Sequence, residues 1–217
     1  MAKTIEDIYT EYNIPPSLRE HMYRVTAVAT IICDNFTITI DRKSIIQTCL
    51  LHDMGNILKM KMDVFPEFFE PEGIEYWEGV KKDFKQKYNT TDPHIATLAI
   101  AVEVEASLRT LEILHTHGFL NALEVLNSNE FEKKICLYSD MRVGPRRVAT
   151  LSARLEDFKS RYENLPDALT AEEYQKRISA LSKIEQQVFE RSDIIPEYIT
   201  EEKVHNIVLQ LKSTNIN

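Results

Sequence analysis

Residues 41–55 read DRKSIIQTCLLHDMG, an apolar helical pattern that ends in an adjacent histidine and aspartate. Apolar side chains recur at three- and four-residue steps, which is the spacing of one buried helix face. The pattern predicts a helix over 41–53 whose inward face is formed by Ile45, Ile46, Cys49 and Leu50. Gly55 predicts its end. Burying an ionised aspartate is costly unless it is paired or bound to a metal, so His52 and Asp53 are candidate site residues.

Helical periodicity also dominates the chain on both sides of this stretch. It predicts further helices over 17–35, 93–114, 119–127, 130–143, 146–163, 171–191 and 200–212. At the first of these, Ser17 is the expected N-cap, and Glu20, three residues on, completes a capping box. Asp92 is expected to cap the helix that Pro93 opens. Residues 54–92 are the least regular part and predict a loop with one or two short helices, a natural place for a lid.

The fold class predicted from this pattern is all-α, because no stretch gives a convincing strand. We expect a single domain over 1–217, built as a helical bundle. Residues 17–160 would form its core. Residues 164–217 would add accessory helices that pack on the core or form a homodimer contact. A loop around Pro166 would join the two long helices on either side of it.

Composition limits the classes of partner and compartment. The 217 residues carry 26 Lys and Arg against 34 Asp and Glu, and the net charge of −8 argues against binding of polymeric nucleic acid. Three cysteines without a CxxC pair favour free thiols in a reducing compartment. The N-terminus lacks the apolar stretch of a signal peptide, and no run approaches the roughly 20 apolar residues of a membrane span. We therefore expect a soluble, cytoplasmic protein with no membrane partner.

The placement of the histidines points to a metal site. Five of the six lie within the first 117 residues, and most of these lie on or at the ends of predicted helices. The order His21, His52-Asp53, Asp140 resembles the H…HD…D pattern of the HD superfamily of metal-dependent phosphohydrolases, which have a helical fold. The resemblance spans about residues 17–160. A bare HD dipeptide is a weak motif, whereas the ordered set on predicted helices is specific.

Two further segments carry the same resemblance. HTHG at 115–118 is similar to the HTxG of family members that act on nucleotides. YSDMRVGPRRV at 138–148 is similar to the segment that bears the last aspartate of the family. His94 and His115 resemble the two extra histidines of the subset that holds a second metal. His117 is interpreted as a residue that lines the pocket or donates a proton.

The resemblance implies a role for each matching residue. A first divalent ion would be held by His21, His52, Asp53 and Asp140. A second would be held by His94 and His115, with Asp53 as the bridge. These ligands suit Mn²⁺, Fe²⁺, Co²⁺, Ni²⁺ or Zn²⁺ better than Ca²⁺. The resemblance also implies an activity, the hydrolysis of a small phosphorylated molecule, nucleotides first. A bound ion would supply its nucleophile by lowering the pKa of water toward about 7.

The chain departs from the family pattern at one position. Many relatives carry a lysine in an HDxxK motif, which binds or protonates phosphate, and Asn56 stands there in this sequence. Lys59, one turn further, is a candidate to replace it. Arg142, Arg146 and Arg147 are other candidates, because a guanidinium matches phosphate oxygens in a bidentate geometry.

Two other functions remain open at this point. A di-iron oxygenase of the HD type would use His94 and His115 to hold its second iron. A non-catalytic module would bind metal or nucleotide only to stabilise a helical scaffold. The absence of the HDxxK lysine is consistent with this hypothesis. A lone core histidine is more often a hydrogen-bonded structural group than a ligand. It is the combination of His21, His52-Asp53 and Asp140 that favours metal binding.

Overall fold

A computed structural model describes residues 3–162 and 169–212 of the chain. Within these ranges the chain forms eleven α-helices and no β-strand, with only two isolated bridges, so the all-α prediction is confirmed. The predicted loop around Pro166 lies outside the described residues. In chain order the helices are α1 (Ile5–Glu11), α2 (Pro16–Asp34), α3 (Arg42–Leu51), α4 (Ile74–Tyr88), α5 (Pro93–Glu103), α6 (Leu108–His115), α7 (Ala122–Asn127), α8 (Phe131–Asp140), α9 (Leu151–Tyr162), α10 (Ala171–Phe189) and α11 (Glu201–Leu211).

The central helix of the fold is α2. Its residues 25–32 are all buried, and α3, α8 and α11 pack against it. A helix that is buried on every side must satisfy any polar group that it carries. Thr26 and Thr30 do so by donating their hydroxyls to carbonyls one turn earlier, at 2.7 and 2.9 Å. His21 lies one turn before this buried stretch, on the same helix.

The predicted capping box at the start of α2 is wrong. The helix begins at Pro16 with Pro15 as its N-cap, and no side chain caps it. Proline at the first helical position has no N–H to satisfy and a φ already suited to the helix, so the chain enters helical geometry one residue before Ser17. Glu20 instead pairs with Arg24 one turn on, at 3.1 Å. The predicted cap by Asp92 is confirmed, since its carboxylate accepts from two backbone N–H groups of α5.

The helix predicted over 93–114 is two helices. The first, α5, ends at Glu103, and Glu105 adopts a left-handed φ of 57°. The second, α6, begins at Leu108, where the Ser107 side chain accepts from the Thr110 N–H. Ser107 N–H in turn donates to the side chain of Gln47 in α3, at 3.1 Å. This break turns α6 back onto α3.

The prediction of a loop over 54–92 is wrong for its second half. Two short 3-10 helices, at Asn56–Lys59 and Pro66–Phe69, are followed by the fifteen-residue helix α4. The buried side of α4 is formed by Trp77, Val80 and Phe84. The Trp77 indole donates to the Phe69 carbonyl at 3.2 Å, and the Lys81 ammonium donates to the Met60 carbonyl at 2.8 Å. These bonds attach α4 to the segment that precedes it.

The C-terminal helices pack on the rest of the bundle. α10 contacts α7 and α8, and α11 contacts α2. The contact face of α11 is formed by Val204, Val208 and Leu211, which are buried. None of the helices in the described ranges combines the length and the apolar character that crossing a bilayer requires.

Candidate metal centre

Four polar side chains that are distant in sequence meet at one point in the bundle. His21 projects from α2, His52 and Asp53 follow the end of α3, and Asp140 is the last residue of α8. His21 Nε2 lies 3.5 Å from an Asp53 oxygen and 3.2 Å from an Asp140 oxygen. His52 Nε2 lies 3.6 and 3.7 Å from the same two oxygens. The structure therefore brings together every residue of the H…HD…D order.

The end of α3 explains how two neighbouring residues can face one centre. Consecutive side chains on a helix diverge by about 100°. α3 ends at Leu51, and a turn closed by the Met54 N–H on the Leu51 carbonyl follows, so Asp53 lies beyond the last residue of the helix. Gly55 then passes close to α5, where a Cβ would lie 2.2 Å from the Pro93 carbonyl oxygen. Its φ is −89°, so this glycine is needed for close approach and not for a left-handed helix end.

The donor atoms fit a divalent cation. Ligands held roughly 2.1 Å from one ion lie about 3 to 4.2 Å from one another, and the four separations of 3.2–3.7 Å fall in that range. His52 Nδ1–H donates to the Cys49 carbonyl at 2.8 Å, which leaves Nε2 facing the carboxylates as the nitrogen that would bind an ion once it has lost its proton. His52 Nε2 is buried and has no hydrogen-bond partner among the described residues. A bound cation would satisfy it.

The charges of the centre favour ionised carboxylates. Burial would raise the pKa of Asp140, but contacts with three imidazoles, that of His117 first, hold it well below its usual value. Burial would likewise raise the pKa of Asp53, and the positive charges of His52 and then Lys59 lower it. Both carboxylates therefore remain negative at neutral pH, which is the state that binds a cation.

Comparison with known protein families agrees with this geometry. Residues 8–67 match the family model described as HD domain. This match identifies an HD domain within the chain. The matched segment contains His21, His52 and Asp53, and the HD-domain resemblance of Asp140 rests on its position in the centre. No curated protein and no solved structure gives a significant match to the chain.

An HD domain suggests a metal-dependent hydrolase family, and the cluster is compatible with metal binding. Two groups of potential ligands occur within the described residues, and both contain His52. One joins it to His21 and Asp53, and the other joins it to His117 and Asp140. Within each group the ligand atoms lie no more than 4.8 Å apart.

The two extra histidines of the HD pattern stand apart from these groups. The rings of His94 and His115 lie 6.4 Å apart, with His94 half-buried and His115 exposed. No potential metal group found within the described residues includes either of them. That they hold a second ion together with Asp53 stays a prediction.

Arg142 does not serve as the predicted phosphate ligand. Its side chain is buried, and its guanidinium donates to the carbonyls of Ala149, Pro196 and Ile199 and to the hydroxyl of Tyr138. These bonds fasten the chain after α8 to the segment before α11. A guanidinium engaged in this way has no edge left for a bidentate contact with phosphate. The prediction failed because spacing from Asp140 does not reveal which carbonyls surround the side chain.

Lys59 is the cation that remains near the centre. It is exposed at the end of the 3-10 helix that follows Asp53, and its charge acts on that carboxylate. Asn56, at the position of the HDxxK lysine, is buried. Arg146 is exposed and pairs with Glu67 at 2.6 Å. The roles of Lys59 and of the exposed Arg147 as phosphate contacts therefore stay predictions.

His117 joins the centre from the segment after α6. Its Nε2 lies 3.7 Å from the second oxygen of Asp140, and its ring lies 4.9 Å from that of His52. Burial lowers the pKa of His117, so its imidazole is neutral at pH 7. The sequence placed this residue in the pocket, but it gave no signal that distinguishes a pocket wall from a ligand.

Proposed function

We propose that the protein is a divalent-metal-dependent phosphohydrolase that acts on a small phosphorylated molecule, with nucleotides as the first class to test. The observation that carries the proposal is the convergence of His21, His52, Asp53 and Asp140 at distances that suit one ion. The HTHG segment supports nucleotides as the substrate class, because it resembles the HTxG of HD proteins that act on nucleotides.

The chain's own residues would prepare this site in three ways. His52 is held in the ligating tautomer by its bond to the Cys49 carbonyl. Asp53 and Asp140 stay ionised and offset the charge of a cation. When bound, a divalent ion of the Mn²⁺ to Zn²⁺ series would lower the pKa of a coordinated water toward 7 and neutralise phosphate oxygens. Lys59 supplies a positive charge at the exposed edge, where a phosphate would enter.

The oxygenase alternative lacks a supporting observation in the described residues. It requires His94 and His115 to hold a second iron, and neither belongs to a potential metal group there. The binding-module alternative shares the same centre as the proposed enzyme. It differs only in turnover, so the experiment that tests the proposal also separates these two.

The experiment measures metal-stimulated phosphate release. Protein stripped of metal is reloaded with Mn²⁺ or Co²⁺ and incubated with nucleoside mono-, di- and triphosphates and with simple phosphomonoesters. We expect release from at least one compound, and its loss in Asp53→Asn. His205→Ala, an exposed change on α11, is the matched control that should retain activity. Metal-loaded protein that binds nucleotides without turnover would show a binding module and overturn the enzymatic proposal.

A further inference from the structure

His117 is a buried imidazole whose two polar atoms lack partners. Only 7% of its side chain is exposed, and neither ring nitrogen has a hydrogen-bond partner among the described residues. Native proteins seldom bury an unsatisfied polar atom, and each such atom calls for an explanation such as a bound ion. His52 shows the same feature at Nε2 only, where the proposed cation would sit.

The two histidines of the HTHG segment differ in burial: the side chain of His117 is buried, and that of His115 is exposed. His115 ends α6 and is exposed. The His117 N–H then donates to the Leu114 carbonyl at 3.0 Å and closes a turn. The side chain of His117, unlike that of His115, is buried. Gly118 follows with a φ of 124°, a conformation that residues other than glycine rarely adopt, and the chain changes direction there.

The side chain of His117 lies beside the candidate metal centre. Asp140 directs one oxygen at His21 and His52, and its other oxygen lies 3.7 Å from His117 Nε2. The ligand atoms of His52, His117 and Asp140 all lie within 4.8 Å of one another. His117 and the pair His21 and His52 therefore lie next to different oxygens of the shared Asp140 carboxylate.

The two potential metal groups cannot both hold an ion through His52. Its Nδ1 is engaged with the Cys49 carbonyl, and its Nε2 has a single lone pair. The two groups are thus two parts of one site. On the basis of the proposed function, we infer that His117 is itself a ligand of the cation through Nε2, so that the centre has three histidines and two aspartates. A third imidazole would favour Fe²⁺, Co²⁺, Ni²⁺ or Zn²⁺ over Mg²⁺.

Cobalt binding tests this assignment without reference to activity, because the visible spectrum of Co²⁺ reports its ligands. Metal-free wild type, His117→Leu and the surface control His205→Ala are titrated with Co²⁺. In His117→Leu we expect a dissociation constant at least about tenfold higher and an altered visible spectrum. The thermal midpoint of the metal-free variant should not fall below that of wild type, since no hydrogen bond is lost. If His117→Leu does not fold, His117→Gln is titrated with the same expectations.

Three results would overturn the inference. An unchanged spectrum with weaker binding would make His117 a positioning group for Asp140. An unchanged spectrum and affinity with a lower metal-free midpoint would make it a purely structural residue. In both cases the proposed function would survive, because wild type still binds the ion. Failure of wild type to bind any Co²⁺ would remove the proposed function and the inference together.

Discussion

His52 is the residue in which burial, tautomer and charge act together most strongly. Burial alone would lower its pKa, but the negative charges of Asp53 and Asp140 raise it to about 9. In the metal-free protein His52 is therefore protonated at neutral pH. Because its folded pKa lies above the value of about 6.5 for a free histidine, this charge stabilises the metal-free fold below pH 6.5. The contribution is lost as the pH rises through about 9.

Cation binding should therefore release a proton. The ion needs the lone pair of His52 Nε2, so at pH 7 we expect close to one proton released per ion bound. The apparent affinity should rise with pH up to about 9 and level off beyond it. Titration calorimetry in two buffers of different ionisation enthalpy measures the number of protons released. Heat that is the same in both buffers would contradict the raised pKa of His52.

Lys59 and Arg142 should give opposite phenotypes. Lys59 is exposed beside the centre, so Lys59→Ala should raise KM for a phosphorylated substrate while changing the free energy of unfolding by less than about 0.5 kcal/mol. Arg142→Ala removes four buried donations and should lower the free energy of unfolding by at least about 2 kcal/mol. Urea denaturation and initial-rate kinetics on both variants measure these effects, and a stable Arg142→Ala with raised KM would reverse the assignment.

The residue types and their order were enough to predict the centre. A cation site requires imidazole and carboxylate donors, and His21, His52, Asp53 and Asp140 are the residues that the structure brings together. The sequence could not assign the roles of His117 and Arg142. A histidine can bind a metal or line a pocket, and an arginine can bind a phosphate or backbone carbonyls. Which role applies depends on the surrounding backbone.

Among the elements, helices with a clear apolar period were predicted and the irregular ones were not. α3 was expected over 41–53 and is found at Arg42–Leu51. α4 was missed, although Trp77, Val80 and Phe84 already show helical spacing, because nearby prolines and glycines and a run of charges suggested a loop. The break between α5 and α6 depends on a contact with Gln47, some 60 residues away. Local periodicity carries no information about such a contact.

The packing of the loop after α3 against α5 depends on Gly55. An added Cβ would meet the Pro93 carbonyl oxygen at 2.2 Å, and the Ala96 Cβ and the Thr97 backbone nitrogen at 2.9 Å each. The Gly55 N–H also donates to the Thr97 hydroxyl at 2.9 Å, so the loop has little room to withdraw. We expect Gly55→Ala to lower the free energy of unfolding by about 1–3 kcal/mol. Because Asp53 is two residues away, it should also weaken cation binding.

Gly79→Ala is the matched control for this change. A Cβ at Gly79 would meet no atom within 4 Å, and the residue is exposed in the middle of α4. Alanine restricts the unfolded chain, so this variant should gain about 0.5–1 kcal/mol. Urea denaturation of both variants measures the contrast. Equal effects of the same sign would show that Gly55 is not tightly packed.

On the scale of the whole molecule, the centre lies where three helices that pack directly on one another, α2, α3 and α8, bring their polar residues together. His21 comes from α2, His52 and Asp53 from the end of α3, and Asp140 from the end of α8. α2 lies between α3, α8 and α11, so the ligands are held by the most buried helix of the bundle and by two of its neighbours. The ion would act as a cross-link within this core.

Metal binding should for that reason stabilise the entire fold. A ligand that binds only the native state adds RT ln(1 + [L]/Kd), which is about 2.7 kcal/mol when the free ion is at 100 times its Kd. Thermal unfolding with Co²⁺ and with EDTA should show this gain in wild type and lose most of it in Asp53→Asn. Hydrogen exchange should slow in α2 and α8 together, because both carry ligands to the same ion. Slowing confined to one helix, or an equal gain in Asp53→Asn, would place the ion outside the proposed centre.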